Sequence, residues 1–185
     1  MEKRRYESPI GSLLLIADEG TLTYCNWDHP DCLKKLEASL RRMKAEESKA
    51  RMNSEENNPC HRDSEVLDMA IVQLEEYFSG QRRTFRLPIR LYGTEFQLKV
   101  WDSLTHIIYG ETISYKELAK RAGAPGASRA VANACGANPL CIILPCHRII
   151  PSSSTPSSSI GGYTGGAEKK LSLLVLERFE GCWKV

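Results

Sequence analysis

No apolar run near the start of this 185-residue chain is longer than Leu13 to Ala17. That is far short of the roughly 20 residues that span a bilayer, and of the roughly 7 to 15 of a secretory core, although Lys3, Arg4 and Arg5 precede it. A soluble, intracellular protein is expected. Charge of one sign is scarce as well: 25 Lys and Arg stand against 23 Asp and Glu, a bias too weak to imply nucleic acid by itself. Residues 1–90 carry 15 basic and 16 acidic side chains, residues 91–185 carry 10 and 7, so the second half permits a DNA-binding region without demonstrating one. Neither a G-x-x-x-x-G-K-[ST] nor a G-x-G-x-x-G strand-to-helix fingerprint occurs, and Gly161 to Gly166 lacks that register, so no nucleotide-type cofactor is expected.

The seven cysteines include no C-x-x-C pair. In a reducing compartment most would be buried thiols, with one or two doing chemistry. Cys25, His29 and Cys32, with Cys60 and His61 further on, match no paired-ligand spacing, and His29 precedes Pro30 in a turn-like context, so no metal site is expected. With 42% hydrophobic and 26% charged residues, a disordered or fibrous chain is excluded and one or two small domains are expected.

The first half opens with two strand-like runs, Ser12 to Ala17 and Thr21 to Trp27, joined by Asp18-Glu19-Gly20, a good hairpin connection. Asp31 begins a helix-like stretch through Leu33, Leu36 and Leu40, which dissolves into the polar segment Arg41 to Asp63, its latter part read as a mobile loop. From Ser64, apolar residues at Leu67, Ala70, Ile71, Leu74, Tyr77 and Phe78 follow a 3.6 period and stop at Gly80, an amphipathic helix. Arg82 to Gly93 reads as a strand or connector. A boundary near residue 90 separates an N-terminal α/β domain, 1–90, from a mainly helical domain, 91–185.

In that second region Thr94 and Gln97 form a capping box ahead of a helix with Phe96, Val100, Trp101 and Leu104 inward. Ser114 and Glu117 form another, starting a short helix with Leu118 and Ala119 inward. Gly123-Ala124-Pro125-Gly126 then turns into a helix from Ser128 to about Ala137. Two short helices joined by a tight glycine-containing turn make a helix-turn-helix candidate of winged-helix-like kind. The second helix is faced with Ala and Gly and bears the lone Arg129, which suits close approach to a groove as well as ordinary helix packing. Cys141 to Leu144 is a short apolar run that Pro145 terminates, read as a short active-site strand. Cys146, His147 and Arg148 follow, placing a thiol beside an imidazole and a guanidinium, where a thiolate is stabilised.

The string Pro145-Cys146-His147-Arg148, between the Asn138-Pro139 turn and Gly161-Gly162-Tyr163-Thr164-Gly165-Gly166, resembles the O6-alkylguanine-DNA alkyltransferase family, the methylated-DNA-protein-cysteine methyltransferases. Gly93 to Gln97, Val100-Trp101, Gly110 to Tyr115 and Ser128 to Val131 continue the match, which covers nearly all of residues 93–180; Ser8-Pro9-Ile10-Gly11 agrees more loosely. The resemblance implies DNA repair by a single-use enzyme in which Cys146 takes the alkyl group from the O6 oxygen of a guanine. It implies a Cys-water-His-Glu relay through His147 and Glu177, and an Asn138 that ties the helix-turn-helix to the cysteine segment. Arg129 would enter the duplex in place of the extruded base, and Tyr115 would help rotate the nucleotide out and donate to its ring. Ser128, Ala130 and Ala134 would contact DNA with Arg129. Cys135, Ile149, Tyr163 and Thr164 would join Tyr115 around the base, Ile149 through its carbonyl. The implied partner is double-stranded DNA carrying O6-alkylguanine, bound by a monomer with cooperative coating left open, in the cytoplasm of a prokaryote or the nucleus of a eukaryote. Some family members hold zinc in the N-terminal domain, but Asp18 and Thr23 stand where two of those ligands align, and no such site is expected here. The serine-rich Ser152 to Ser159 is longer than is usual for the family.

An alkylated base cannot be attacked inside the stack, so extrusion at a cost of a few kcal/mol and a filler such as Arg129 fit the chemistry. A minor groove about 6 Å wide admits a helix with short side chains. Two other readings compete: a cysteine hydrolase built on Cys146 and His147, and a DNA-binding regulator or damage-flagging protein that does not repair. No oxyanion hole is legible for the first, and the second would not need Cys146.

Overall fold

The computed structural model describes residues 1–30, 59–152 and 160–177, together with Cys32, Leu36 and Arg41. Most of the helix expected from Asp31, the polar segment up to residue 58 and the serine-rich residues 153–159 lie outside the described residues. The chain divides into two compact units, Met1–Gly93 and Thr94–Val185.

The first unit is built on a three-stranded antiparallel meander, β1 (Glu2–Ser8), β2 (Gly11–Asp18) and β3 (Thr21–Trp27), in the order β1-β2-β3. The β2–β3 hairpin turns at Glu19 and Gly20, both at positive φ (49° and 71°), the twist that short hairpins require. β1 is a strand the hydrophobic pattern does not reveal. Its burial alternates along Glu2-Lys3-Arg4-Arg5-Tyr6-Glu7-Ser8 without ever becoming complete, as charged edge strands do. Helix α1 (Pro59–Phe78) lies on this sheet with Val66, Leu67, Ala70, Leu74 and Tyr77 buried. It begins five residues before the expected Ser64, which corrects the loop reading of 59–63. Proline suits a first helical turn because its missing N–H has no intrahelical partner there, and the buried Asp63 accepts the Gly20 amide at 2.7 Å. Residues 82–93 are a connector rather than a full strand: Leu22 N donates to Pro88 O (2.8 Å) and Arg90 N to Leu22 O (3.1 Å). Gln73 clamps it further on, accepting Arg86 N and donating to Arg86 O.

In the second unit Thr94 caps α2 (Glu95–Thr105) in a complete capping box with Gln97. A two-residue strand β4 (Ile113–Ser114) leads directly into α3 (Tyr115–Arg121), whose N-cap Ser114 accepts Glu117 N. The Glu117 carboxylate turns to Arg121 Nε instead of completing a second box. α4 (Ser128–Gly136) follows after Gly123 and Gly126, both in the left-handed region. Trp101 Nε1 donates to Ala134 O at 2.8 Å and so holds α4 on α2. The unit closes with a 3₁₀ turn (Cys146–Arg148), β5 (Ile149–Ile150), parallel to β4, and α5 (Ala167–Leu176). The short strand therefore follows the cysteine. The run Cys141 to Leu144, expected as that strand, is a tight turn in which Ile142 has φ +73°. Among the described residues no helix is long and apolar enough to cross a membrane.

Candidate functional site

The cysteine turn is the centre of the second unit. Pro145 ends the preceding segment and Arg148 N closes the turn on Pro145 O at 3.0 Å, so Cys146, His147 and Arg148 share one turn of 3₁₀ helix and all three are buried. Cys146 is only 4% exposed. Asn138 reaches it from the end of α4: Nδ2 donates to Cys146 Sγ (3.2 Å) and to Leu144 O (2.8 Å), while Oδ1 accepts Leu140 N (3.0 Å). One amide thus fixes the turn and the sulfur together. The Cys146 thiol is held below its ordinary value by a hydrogen bond with Cys141, against the opposing effect of burial, with Asn138 and the Lys170 ammonium adding to the shift.

Behind the sulfur lies a second layer. Glu177, at the end of α5, takes His147 Nε2 (2.9 Å), Arg148 Nε and Nη2 (2.9 Å each) and Gly110 N (3.2 Å). Gly110 allows this approach because it sits at φ +80°, and a Cβ there would meet Glu177 O at 3.0 Å. Burial would raise the Glu177 carboxyl, but the His147 and Arg148 hydrogen bonds and charges hold it well below the carboxylate range. Burial lowers the His147 pKa, outweighing the pull of Glu177, so the ring is neutral at neutral pH. With Nε2 donating to Glu177, His147 presents Nδ1 as a bare lone pair, and Nδ1 has no hydrogen-bond partner among the described residues. That is the atom able to take a proton.

The remaining site residues fall on three sides. Tyr115, first residue of α3, donates to Gly162 O (3.5 Å); burial, then Cys135 and Cys146, push its hydroxyl up to about 12, which keeps it a donor. Cys135 on α4 is buried and its thiol is raised by that burial. The Tyr163 ring meets the His147 ring edge-on at 6.4 Å, and Thr164 Oγ1 donates to Gly136 O at 3.4 Å. Ile149 is buried with its carbonyl accepting Lys170 Nζ at 2.6 Å. On the far side of α4, Arg129 and Ala130 are exposed and Ser128 half-buried. Ala134, expected to face DNA with them, is buried under Trp101; Asn133 occupies the exposed face instead.

Two residues were not legible as part of this site, Lys170 and Cys141. Lys170 is fully buried on α5, its ammonium depressed to about 8 by burial, and nothing in the sequence marks it apart from other helix lysines. Arg148, expected beside the thiol, instead pairs with Glu177 and is a counter-charge that keeps it ionised. Cys141 was read as strand filling. Among the described residues no group of three His, Cys, Asp or Glu side chains is arranged to hold a metal.

An activated thiol set in the same unit as a helix-turn-helix is the arrangement of a protein that uses cysteine chemistry on DNA. The comparisons with known proteins agree. Residues 1–91 match the ribonuclease-like domain of 6-O-methylguanine DNA methyltransferase and residues 95–179 its DNA binding domain. A methylated-DNA–protein-cysteine methyltransferase of Mycolicibacterium paratuberculosis is 38% identical over 96% of this chain and 93% of its own length. The one of Mycobacterium leprae is 49% identical over 60% of this chain and 65%, just under two thirds, of its own length. The crystal structure of Mycobacterium tuberculosis OGT in complex with DNA superposes with a TM-score of 0.72 at 35% identity, over 96% of this chain and 93% of that one. The chain belongs to the methylated-DNA–protein-cysteine methyltransferase family.

Proposed function

We propose that this protein repairs DNA directly, moving an alkyl group from the O6 oxygen of a damaged guanine to Cys146 Sγ, once per chain. The supporting observation is the Cys146 sulfur held by Asn138 at 3.2 Å, its thiol depressed below its ordinary value. α4 would dock in the minor groove with Arg129 and Ala130 outward and Arg129 filling the gap left by the extruded base. The base would enter between Tyr115, Tyr163 and Thr164, with the Ile149 carbonyl accepting from its exocyclic amine. His147 Nδ1 takes the thiol proton through a water, and Glu177 stabilises the imidazolium. The thiolate attacks the alkyl carbon, the S–C bond forms as the C–O6 bond breaks, and the electron pair stays on the guanine oxygen. The ring then takes a proton, with the Tyr115 hydroxyl donating to it. The product thioether has no proton to lose and no leaving group of comparable ease, so the reaction ends there. A monomer suffices.

The test is intact-protein mass spectrometry after mixing with a duplex containing O6-methylguanine. Wild type gains one methyl per chain and stops, while Cys146→Ser gains none and still binds the duplex, because a hydroxyl is a far poorer nucleophile at neutral pH. Repeated turnover, binding without mass gain, or a second methyl gained at comparable rate refutes the proposal.

A further inference from the structure

The rotation of α4 about its own axis is fixed from inside the unit. Val131, Ala134 and Cys135 are buried, and Trp101 Nε1 holds the Ala134 carbonyl at 2.8 Å. What faces outward is Arg129, Ala130 and Asn133, all exposed. Arg129 and Asn133 are four residues apart, so they are neighbours on one face, about 6 Å apart along the axis. Three residues beyond Asn133, the Gly136 carbonyl accepts Thr164 Oγ1, a side chain of the proposed pocket wall. Asn133 therefore stands between the proposed gap filler and the proposed base pocket. Its backbone carbonyl accepts Ala137 N at 3.0 Å, while its side-chain amide has no hydrogen-bond partner among the described residues. Asn is a poorer helix former than Ala, so nothing in the helix itself calls for an amide there.

We propose that Asn133 reads a G·C pair in the minor groove within two base pairs of the lesion, its Oδ1 accepting from the guanine 2-amino group and its Nδ2 donating to a groove acceptor. The inference rests on the docking reading above, since it needs α4 in the groove. Base pairs follow one another about every 3.4 Å, so about 6 Å of helix reaches some two steps from the residue that fills the gap. In the minor groove every pair presents acceptors, and only G·C adds a donor, the 2-amino group. A side chain that favours G·C must therefore accept as well as donate. Arg129 has donors only and Ala130 has neither, whereas an amide has both. Ser128 lies beyond Arg129, away from the pocket end of the helix. Asn133 is thus the outward side chain placed to make the sequence beside the lesion matter.

The experiment places O6-methylguanine in duplexes that carry either guanine or hypoxanthine, opposite cytosine, one or two base pairs to either side of the lesion and in either strand. Hypoxanthine lacks only the 2-amino group. Binding is measured by fluorescence anisotropy with Cys146→Ser and with Cys146→Ser plus Asn133→Ala, and the second-order rate of methyl transfer with wild type and Asn133→Ala. Hypoxanthine also weakens the pair itself, but both proteins meet the same duplex, so comparing them cancels that change. At one of these positions the exchange is expected to weaken binding and slow transfer about fivefold more with Asn133 present than with Asn133→Ala. Asn133 is exposed and Ala is the better helix former, so the variant folds. Equal responses of the two proteins at every position overturn the proposal. So does a loss from Asn133→Ala that is the same on every duplex, which would make the amide a phosphate contact. Failure to bind duplex DNA at all overturns the docking reading with it. Binding by the Cys146→Ser proteins needs no transfer, so a wild type that takes no methyl refutes the transfer reading while the Asn133 comparison still stands.

Discussion

Replacing Glu177 by Gln should be costly in a way that separates its structural part from its part in proton transfer. The carboxylate is buried and accepts the Arg148 guanidinium through two bonds of 2.9 Å as well as His147 and Gly110. Glu177→Gln leaves Arg148 buried beside a neutral amide, and removing one partner of a buried pair costs about 3–5 kcal/mol. For a folding unit of this size that is a fall of more than about 10 °C in Tm, measurable by circular dichroism at pH 7. The pH dependence has a fixed sign. Because the folded state holds this carboxyl below its ordinary 4.5, its contribution is complete above that value and drains away as pH falls below it. The Gln variant lacks that acid loss, so its stability and that of wild type converge toward low pH. Arg148→Met added to Glu177→Gln removes the stranded charge and should recover most of the stability. It should not recover transfer: without the carboxylate the imidazolium of His147 is less favoured, and the single-turnover rate should reach its plateau at higher pH in both the single and the double variant. A Glu177→Gln protein within about 1 kcal/mol of wild type would refute the buried-pair argument, and coincident rate profiles would make Glu177 structural only.

Arg129→Ala should slow repair of duplex DNA much more than reaction with free O6-benzylguanine, since a free base needs no extrusion and no filler; equal losses on the two substrates would remove Arg129 from that role. Lys170, depressed from 10.5 to about 8, penalises the folded state while protonated, so its contribution to stability should improve as pH rises from about 8 to 10.5. Lys170→Met should therefore be more stable than wild type at pH 7 by up to about 3 kcal/mol, the gap closing as pH rises through that window in parallel denaturant titrations. A gap that does not change with pH would mean that the folded state does not depress the lysine, so that burial imposes no penalty on its ammonium.

Local patterns in the sequence were sufficient for most of the framework. The β2–β3 hairpin follows from two apolar runs around Glu19-Gly20, α1 from a 3.6-residue apolar period, and α2 from the reciprocal Thr94 and Gln97 cap, because each is decided by neighbours a few residues apart. The residues proposed as acceptor and proton partner were likewise legible, since Cys146 and His147 are adjacent and their resemblance to a known family rests on contiguous residues. Tertiary structure decided the rest. Edge strand β1 carries no apolar stripe and exists because β2 offers it a hydrogen-bonding edge. The run Cys141 to Leu144 has the composition of a strand, yet Asn138 and the Leu140–Leu144 bond fold it into a turn ahead of Cys146. Ala134 turns inward because Trp101, thirty-three residues earlier, claims its carbonyl. Lys170 reads as a surface cation, and only burial against Ile149 O makes it a depressed ammonium; Arg148 reads as a partner of the neighbouring thiol, and only the fold turns it to Glu177 as a counter-charge. Such roles depend on which distant groups share a water-poor interior, and a charge acquires its energy there from partners that sequence spacing does not specify.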